Sequence, residues 1–304
     1  MKASISAERE SATPMRGVIS MLAELTKARL TALVLITTLT GFFVAGTGMA
    51  DWLTGLHVLL GTGLVAAGAA ALNEWWERDL DRLMERTSHR PLPSGEIEPW
   101  FALAFGLSTG LAGVVYLAAL VNGLTAVLGA LAMVSYVLVY TPLKRVTAWN
   151  TVIGAVPGAL PPLMGWTAAR GEMGLGGLAL FGILFLWQIP HFMAIAWLYR
   201  DEYARAGYRM LPVVDPGGRA TGWATLGTTL LLLAVSLVPV GVGIAGPLYG
   251  AGATILGIGF LAMAARFTHR LERHQARLVF FASILYLPLL LGLLMLDNAS
   301  RILG

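Results

Sequence analysis

The sequence predicts an all-α polytopic membrane protein with nine transmembrane helices. Hydrophobic residues make up 57% of the 304 residues and charged residues only 12%, which is about half the charged fraction of an ordinary soluble domain. Apolar runs long enough to cross a ~30 Å hydrocarbon layer recur along the whole chain. Turn-forming pairs such as Asn122-Gly123 and Gly246-Pro247 separate these runs. The chain has no cysteine, which excludes thiolate metal sites, disulfides and thiol nucleophiles.

Each predicted helix is an apolar segment that ends at charged residues or at a turn. The nine segments cover residues 30–50, 54–76, 99–120, 123–140, 150–168, 174–198, 221–241, 245–265 and 279–296. We expect a single intramembrane domain over residues 29–298. A polar N-terminal tail (1–28) and a short C-terminal tail (299–304) would flank it.

Basic residues predict the orientation in the bilayer. Of the 21 lysines and arginines, all but Arg170 and Arg301 lie before the first predicted helix or in the connections that follow the even-numbered helices. By the positive-inside rule, the N-terminus and these connections are cytoplasmic and the C-terminus is outside, which agrees with an odd number of spans. We expect a multi-pass protein of a bacterial-type inner membrane.

Three polar residues follow one another at intervals of four where the second apolar run ends. Asn73, Glu77 and Asp81 fall within about 80° of one helix face and over ~12 Å of its length. Arginines also follow at a spacing of four, at positions 78, 82, 86 and 90. Oxygen ligands beside guanidinium groups suit a metal-bridged polyanion such as a diphosphate. The alternative is a solvated charged helix face.

A second acidic segment repeats this plan further along the chain. Asp201 closes the sixth helix, arginines are interleaved at positions 200, 205 and 209, and Leu211-Pro212 ends the segment. The first segment likewise ends at Leu92-Pro93. We expect the two segments to face a shared cavity, where Mg²⁺ would join them through the phosphate oxygens of a substrate.

Two smaller features are candidates for binding. Lys144 and Arg145 precede the fifth helix, where they would either neutralise an anion or anchor the orientation. His191 lies about 15 Å before Asp201 along the sixth helix. A histidine inside the membrane is a functional candidate, and the alternative is a histidine bonded to a neighbouring helix.

Together these motifs resemble those of the UbiA superfamily of intramembrane prenyltransferases. The first signature is Asn73-x3-Glu77-x3-Asp81, which continues into Arg86-Thr87-x2-Arg90-Pro91-Leu92. The remaining segments are similar to the branch of the superfamily that acts on haem: YTPLKR at 140–145, the Gly- and Pro-rich stretch at 150–166, WQIPHF at 187–192 and the acidic segment at 201–214. The resemblance covers residues from about 25 to 290.

The resemblance implies a nine-helix bundle that transfers a farnesyl group from farnesyl diphosphate to a vinyl group of haem B. Mg²⁺ would be the cofactor, and a haem A synthase or an oxidase-assembly protein would be a partner; we expect no nucleic-acid partner. The implied roles are as follows: Asn73, Glu77 and Asp81 hold one metal ion and Asp201 the other; Arg86, Arg90, Lys144 and Arg145 bind the diphosphate; His191 contacts the haem.

The chain departs from the superfamily pattern at two positions. Glu77 stands where many members carry aspartate, which lengthens the ligand but keeps its charge. Asp201 is followed four residues later by Arg205, where a second aspartate is common. Two other functions stay open: prenyl transfer to an aromatic quinone precursor, and secondary transport with membrane carboxylates as ion ligands. The acids cluster at one membrane face beside arginines, and this favours an enzyme over a transporter.

Overall fold

The computed structural model describes residues 17–46 and 51–303, with side chains to residue 300. Every regular element in these ranges is helical, and the prediction of an all-α membrane protein is confirmed. The helices, renumbered in chain order, are α1 (Val18–Leu25), α2 (Ala28–Val44), α3 (Trp52–Asp81), α4 (Pro99–Leu120), α5 (Gly123–Leu143), α6 (Asn150–Arg170), α7 (Gly174–Leu198), α8 (Arg200–Arg205), α9 (Leu211–Val214), α10 (Arg219–Gly241), α11 (Pro247–Arg270) and α12 (Arg273–Leu303).

The described helices account for the nine predicted spans. Eight of them are each long and apolar enough to cross a membrane, and the bent pair of α1 and α2 gives the ninth when it is counted as one span. Large apolar side chains such as Leu111, Ile255 and Phe281 are exposed on the outer faces, where lipid would cover them. The chain is therefore a multi-pass integral membrane protein.

The structure moves several predicted boundaries. Helix α3 continues to Asp81, so the whole acidic motif is helical. The last helix begins at Arg273 and continues to Leu303, into the segment expected to be a C-terminal tail. Part of the expected N-terminal tail is helix α1, whereas residues 1–16, with Lys2, Arg9 and Arg16, lie outside the described residues. Residues 47–50, at the end of the first predicted span, also lie outside them.

Glycines bring helix backbones into direct contact. A Cβ atom on Gly68 of α3 would lie 2.5 Å from the backbone nitrogen of Gly110 on α4. A Cβ atom on Gly165 of α6 would lie 1.9 Å from the carbonyl oxygen of Thr38 on α2. Neither distance leaves room for a side chain, so these glycines set how closely the helices approach, as small residues do in membranes. The acidic end of α3 is thereby held by a rigid bundle.

The bend between α1 and α2 brings one residue towards the bundle axis. The two helices meet at 55°, and Lys27 between them has a φ of 48°, a left-handed conformation that is uncommon for a non-glycine residue. Leu25 at the end of α1 is fully buried in a cluster with Ala71 of α3 and Leu92. The cluster fixes the bend, and Lys27 is placed beside the last turns of α3.

Candidate active site

Asn73, Glu77 and Asp81 lie on the last three turns of α3, and all three are at least 96% buried. This confirms that the motif is helical to its end. Buried charges and amides need partners, because an unpaired one costs several kcal/mol. The partners come from three other parts of the chain.

Asn73 is held by four neighbours. Its Nδ2 donates to Glu77 Oε2 at 2.9 Å and to Thr141 Oγ1 at 3.0 Å. Its Oδ1 accepts from Lys27 Nζ at 2.6 Å and from the Tyr136 hydroxyl at 3.3 Å. Because both ends of the amide are used, its orientation is fixed, with the oxygen towards a cation. Tyr136 and Thr141 are brought here by α5, whose end turns into a π-helix over Ser135–Tyr140.

Glu77 is paired with Lys144. The lysine Nζ lies 2.7 Å from Oε1 and 2.9 Å from Oε2, and it also lies over the ring of Tyr140, 4.7 Å from the centroid. Burial alone would lower the pKa of Lys144, but Glu77 together with the nearby tyrosines outweighs burial and holds this pKa well above its usual value. Lys144 is therefore positively charged at any physiological pH.

Asp81 is paired with Arg90, which follows in the connection to α4. Arg90 Nη1 lies 2.8 Å from Asp81 Oδ2, and its Nε lies 3.9 Å from Glu74 Oε1. Burial would lower the pKa of Arg90, and the carboxylates of Asp81 and Glu74 raise it above its usual value. The Thr87 hydroxyl donates to the Asp81 carbonyl oxygen and holds the turn after the helix.

Each of these three side chains at the end of α3 thus faces a cation from another part of the chain. Asn73 faces Lys27, Glu77 faces Lys144 and Asp81 faces Arg90. We call these six residues the α3 network. Beside it, both oxygens of Glu74 are buried, and they have no hydrogen bond within the described ranges.

The second acidic segment packs against the α3 network through Tyr208, whose ring centroid lies 5.8 Å from Lys144 Nζ. Met84 lies in one apolar cluster with Tyr208, and Arg86 donates to the Tyr203 hydroxyl at 3.0 Å. Burial, with the nearby charge of Glu77, raises the pKa of Tyr208. The backbone N–H of Arg209 donates to the Lys144 carbonyl oxygen at 2.7 Å. These contacts bring the two segments side by side, and a cavity shared between them stays a prediction.

Asp201 lies in a different environment from Asp81. Its side chain is 76% exposed, and Arg200 Nε is 3.8 Å away. It lines a separate cavity of about 250 Å³ with Ala204, Pro212 and Pro216. Within residues 17–46 and 51–303, no three histidine or acidic side chains converge in a way that suits a metal ion. The structure therefore brings Asn73, Glu77 and Asp81 together and leaves Asp201 apart.

The remaining predicted residues differ in how firmly they are held. Arg86 lies over the rings of Tyr199 and Tyr203, at 5.3 and 5.6 Å. Arg145 is exposed, and its side chain makes no ion pair or hydrogen bond with other described residues. His191, seven residues before the end of α7, contacts α12 and not the α3 network.

Sequence reasoning missed two members of this region. The charge pattern relates Lys27 only to the orientation in the bilayer, because its contact with Asn73 spans 46 positions. Glu74 stands next to Asn73 in the sequence, yet it lies on another side of the helix. The αL conformation of Lys27 is visible only in the structure, and no spacing rule signals it.

Comparison with known proteins decides the family. The model of the UbiA prenyltransferase family matches residues 34–285. The chain belongs to the UbiA prenyltransferase family. It is 47% identical to the protoheme IX farnesyltransferase of Solibacter usitatus, over 90% of this chain and 97% of that protein. It is 45% identical to the protein of the same name from Myxococcus xanthus, over 93% of this chain and 96% of that one.

Solved structures of this family share the fold. A digeranylgeranylglyceryl phosphate synthase superimposes with a TM-score of 0.80 at 18% identity, over 93% of this chain and 99% of that one. A UbiA homologue from Archaeoglobus fulgidus, solved with GPP and Mg²⁺, gives 0.63 at 15% identity, over 90% and 99%. At these identities the likeness concerns the fold. The predicted nine-span UbiA bundle is confirmed.

Proposed function

We propose that the chain transfers the farnesyl group of farnesyl diphosphate to a vinyl group of haem B, forming haem O and releasing diphosphate. The observation that carries this is the 43–47% identity, over most of the chain, to several proteins named protoheme IX farnesyltransferase. The α3 network supports it, because buried oxygen ligands beside fixed cations suit a metal-bound diphosphate.

In the proposed reaction the bond between farnesyl C1 and the diphosphate oxygen breaks. The diphosphate leaves with the electron pair, and an allylic cation remains. The vinyl group forms a bond to this cation, and water adds to the carbocation that results and loses a proton. The product carries a hydroxyethylfarnesyl side chain. No side chain need act as a nucleophile, which agrees with the absence of cysteine.

The donor set of the α3 network fits magnesium. Asn73 Oδ1 and the carboxylates of Glu77 and Asp81 are hard oxygen ligands, and few protein ligands plus phosphate oxygens are typical for this ion. Mg²⁺ would neutralise charge that develops on the departing diphosphate. Asp201 would serve a second ion. It is exposed and touches none of the described side chains of the α3 network, so only the substrate would join it to the first.

The cations of the α3 network would then bind the diphosphate. Lys144 and Arg90 already lie against the metal ligands, and they would turn to the phosphate oxygens as the metal binds the carboxylates. We add Lys27 to this group, because its Nζ lies on the Asn73 oxygen. Arg86 and Arg145 are closer to solvent and would contact the outer phosphate. Fixed positive groups aimed at a leaving anion lower the barrier to its departure.

We propose that this site opens to the cytoplasm of a bacterial-type inner membrane, with the N-terminus cytoplasmic and the C-terminus outside. The distribution of arginine and lysine supports this orientation. We also propose a single intramembrane domain over residues 29–298, and a haem A synthase or an oxidase-assembly protein as the partner that receives haem O.

The test is incubation of the purified protein with haem B, farnesyl diphosphate and magnesium, followed by mass analysis of the haem. We expect a gain of one farnesyl group and one hydroxyl group, and no gain when a chelator removes the magnesium. An unchanged haem mass, with prenylation of a quinone precursor instead, would contradict haem as the acceptor. Full activity in the chelator would contradict the metal.

A further inference from the structure

His191 is held between two aromatic rings inside the bundle. It stacks on Trp187, one turn earlier in α7, with ring centroids 4.9 Å apart, and on Phe280 of α12 at 5.3 Å. The planes are within 26° of parallel in both pairs. His191 lies seven residues before the end of α7, or ~10 Å along the helix. The stack fixes the plane of the imidazole and leaves the ring half-buried.

Hydrogen bonds around Ser283 fix the tautomer of the same ring. His191 Nδ1 lies 2.8 Å from Ser283 Oγ, and Ser283 Oγ lies 2.6 Å from the carbonyl oxygen of Phe280. A hydroxyl has one hydrogen and a carbonyl oxygen can only accept. The Ser283 hydrogen is therefore committed to Phe280, and His191 Nδ1 must be the donor.

The surroundings hold Ser283 rigidly in this role. The serine is fully buried, and the indole Nε1 of Trp187 donates to its carbonyl oxygen at 2.8 Å. Trp187 therefore stacks on the histidine and also holds the turn of α12 that orients it. The four side chains form one unit, which we call the His191 clamp: Trp187, His191, Phe280 and Ser283.

The consequence concerns the other nitrogen. A neutral imidazole with its proton on Nδ1 carries a lone pair on Nε2, which has no hydrogen bond to any residue that the structure describes. Nε2 is not among the buried, unpartnered polar atoms of the described residues, so a ligand can reach it. An Nδ1–H anchored to an oxygen, with Nε2 free, is the arrangement of a metal-ligating histidine.

We propose that Ser283 is a positioning residue that fixes the tautomer of His191, so that His191 Nε2 is the axial ligand of the iron in the acceptor haem. The proposal deepens the proposed function and rests on it, since haem is the acceptor there. The iron would lie about two helical turns inside the end of α7. The flat faces of Trp187 and Phe280 would limit the tilt of the imidazole.

The experiment uses the purified full chain and ferric haem B, with no farnesyl diphosphate present, so that binding is measured without turnover. We expect absorption and electron paramagnetic resonance spectra of a histidine-ligated haem. Ser283→Ala should weaken haem affinity by about 10- to 100-fold, the usual effect of losing a group that orients a ligating histidine, and should change the ligation spectrum.

Ser236→Ala is the matched control. Ser236, on α10, is also fully buried, and its hydroxyl lies 2.7 Å from that of Tyr286 on α12, the helix that carries Ser283. Ser236 is not part of the His191 clamp. It should leave haem affinity and spectrum unchanged. A second variant, His191→Gly, should lose the histidine-ligated spectrum, and added imidazole should restore it by occupying the vacated space.

Three results would overturn the inference: wild-type haem affinity and spectrum in Ser283→Ala, an unchanged spectrum in His191→Gly, or no histidine ligation in the wild type. Haem farnesylation, measured separately by mass, distinguishes failure of the axial-ligand proposal from failure of the proposed function. If haem is farnesylated but its iron is not bound by histidine, only the axial ligand is wrong. If no haem is farnesylated, the proposed function fails as well.

Discussion

The two acidic segments have similar sequences and different environments. Each is an apolar helix followed by acids, spaced arginines and a Leu-Pro pair. At the end of α3, the side chain of Asp81 is 3% exposed and Arg90 lies 2.8 Å away. At α8, the side chain of Asp201 is 76% exposed and its partner lies 3.8 Å away. Tertiary packing, which the spacing of residues does not determine, buries and pairs the acid of one segment and leaves that of the other exposed.

Burial holds the side chains of the α3 network in place and strengthens their electrostatic interactions. Asn73, Glu77 and Asp81 are desolvated and each already faces a cation, so the cost of burying these groups is met on folding. A metal–diphosphate complex would exchange those contacts for its own without ordering new side chains. Asp201 is exposed and is not held by a close cation, so its variants should have smaller effects on activity and stability.

The largest effect is expected for Asp81→Asn, which keeps the shape and removes the charge. Loss of a metal ligand should reduce haem farnesylation by about a thousandfold, because charge on the leaving diphosphate is then poorly stabilised. The control is Asp79→Asn, two residues earlier and exposed, with arginines no closer than 3.6 Å. Product formation measured by mass should be near wild type in the control, and equal loss in both variants would contradict a specific role for Asp81.

Lys144→Met should lower both stability and activity. It leaves Glu77 buried without its cation, which typically costs about 3–5 kcal/mol in the free energy of unfolding. The double variant Glu77→Gln with Lys144→Met should recover much of that stability, but not the activity. Thermal unfolding in detergent measures the effect, with Arg145→Met, exposed and adjacent, as the stability control. A similar loss of stability in Arg145→Met would mean that the ion pair of Glu77 and Lys144 makes no specific contribution to the free energy of unfolding.

Lys27→Met should affect substrate binding more than folding. Its Nζ lies on the Asn73 oxygen, and we expect the KM for farnesyl diphosphate to rise about tenfold, the effect of losing roughly 1.4 kcal/mol of contact with the anion. Arg29→Met, two residues later and exposed, should leave KM unchanged. Steady-state kinetics measure this KM. A wild-type KM in Lys27→Met would mean that Lys27 does not bind the diphosphate and contributes only to the orientation of the chain in the membrane.

Asp201→Asn should have the smallest effect. Because the side chain is exposed, the free energy of unfolding should change by less than about 0.5 kcal/mol. The magnesium concentration for half-maximal activity should rise by a few fold, roughly the effect of weakening one of two metal sites. A magnesium titration of product formation measures this. A loss as large as that in Asp81→Asn would show that the two segments contribute equally.

The helical pattern and the motif at α3 could be predicted from local sequence. A spacing of four places Asn73, Glu77 and Asp81 on one face of any helix, and long apolar runs must cross the membrane as helices. The exposure of Asp201 was not predictable, because the pattern of acids and arginines is the same in both segments. Environment depends on what packs over each segment.

Contacts between distant parts of the chain were the other limit. Lys27 meets Asn73 only because the chain bends by 55° between α1 and α2. His191 and Ser283 are 92 positions apart, and no periodicity connects them. The sequence predicted that His191 either functions or bonds to a neighbouring helix, and the structure shows the helix bond. That bond is the one that leaves Nε2 free.

Manganese binding tests the central claim, that the α3 network and not the α8 segment organises the metal and the diphosphate. Mn²⁺ replaces Mg²⁺, a non-cleavable thio-analogue replaces farnesyl diphosphate, and electron paramagnetic resonance counts the bound ions. We predict that Asp81→Asn loses the tightly bound Mn²⁺ while Asp201→Asn retains it. Tight Mn²⁺ retained in Asp81→Asn and lost in Asp201→Asn would contradict the account.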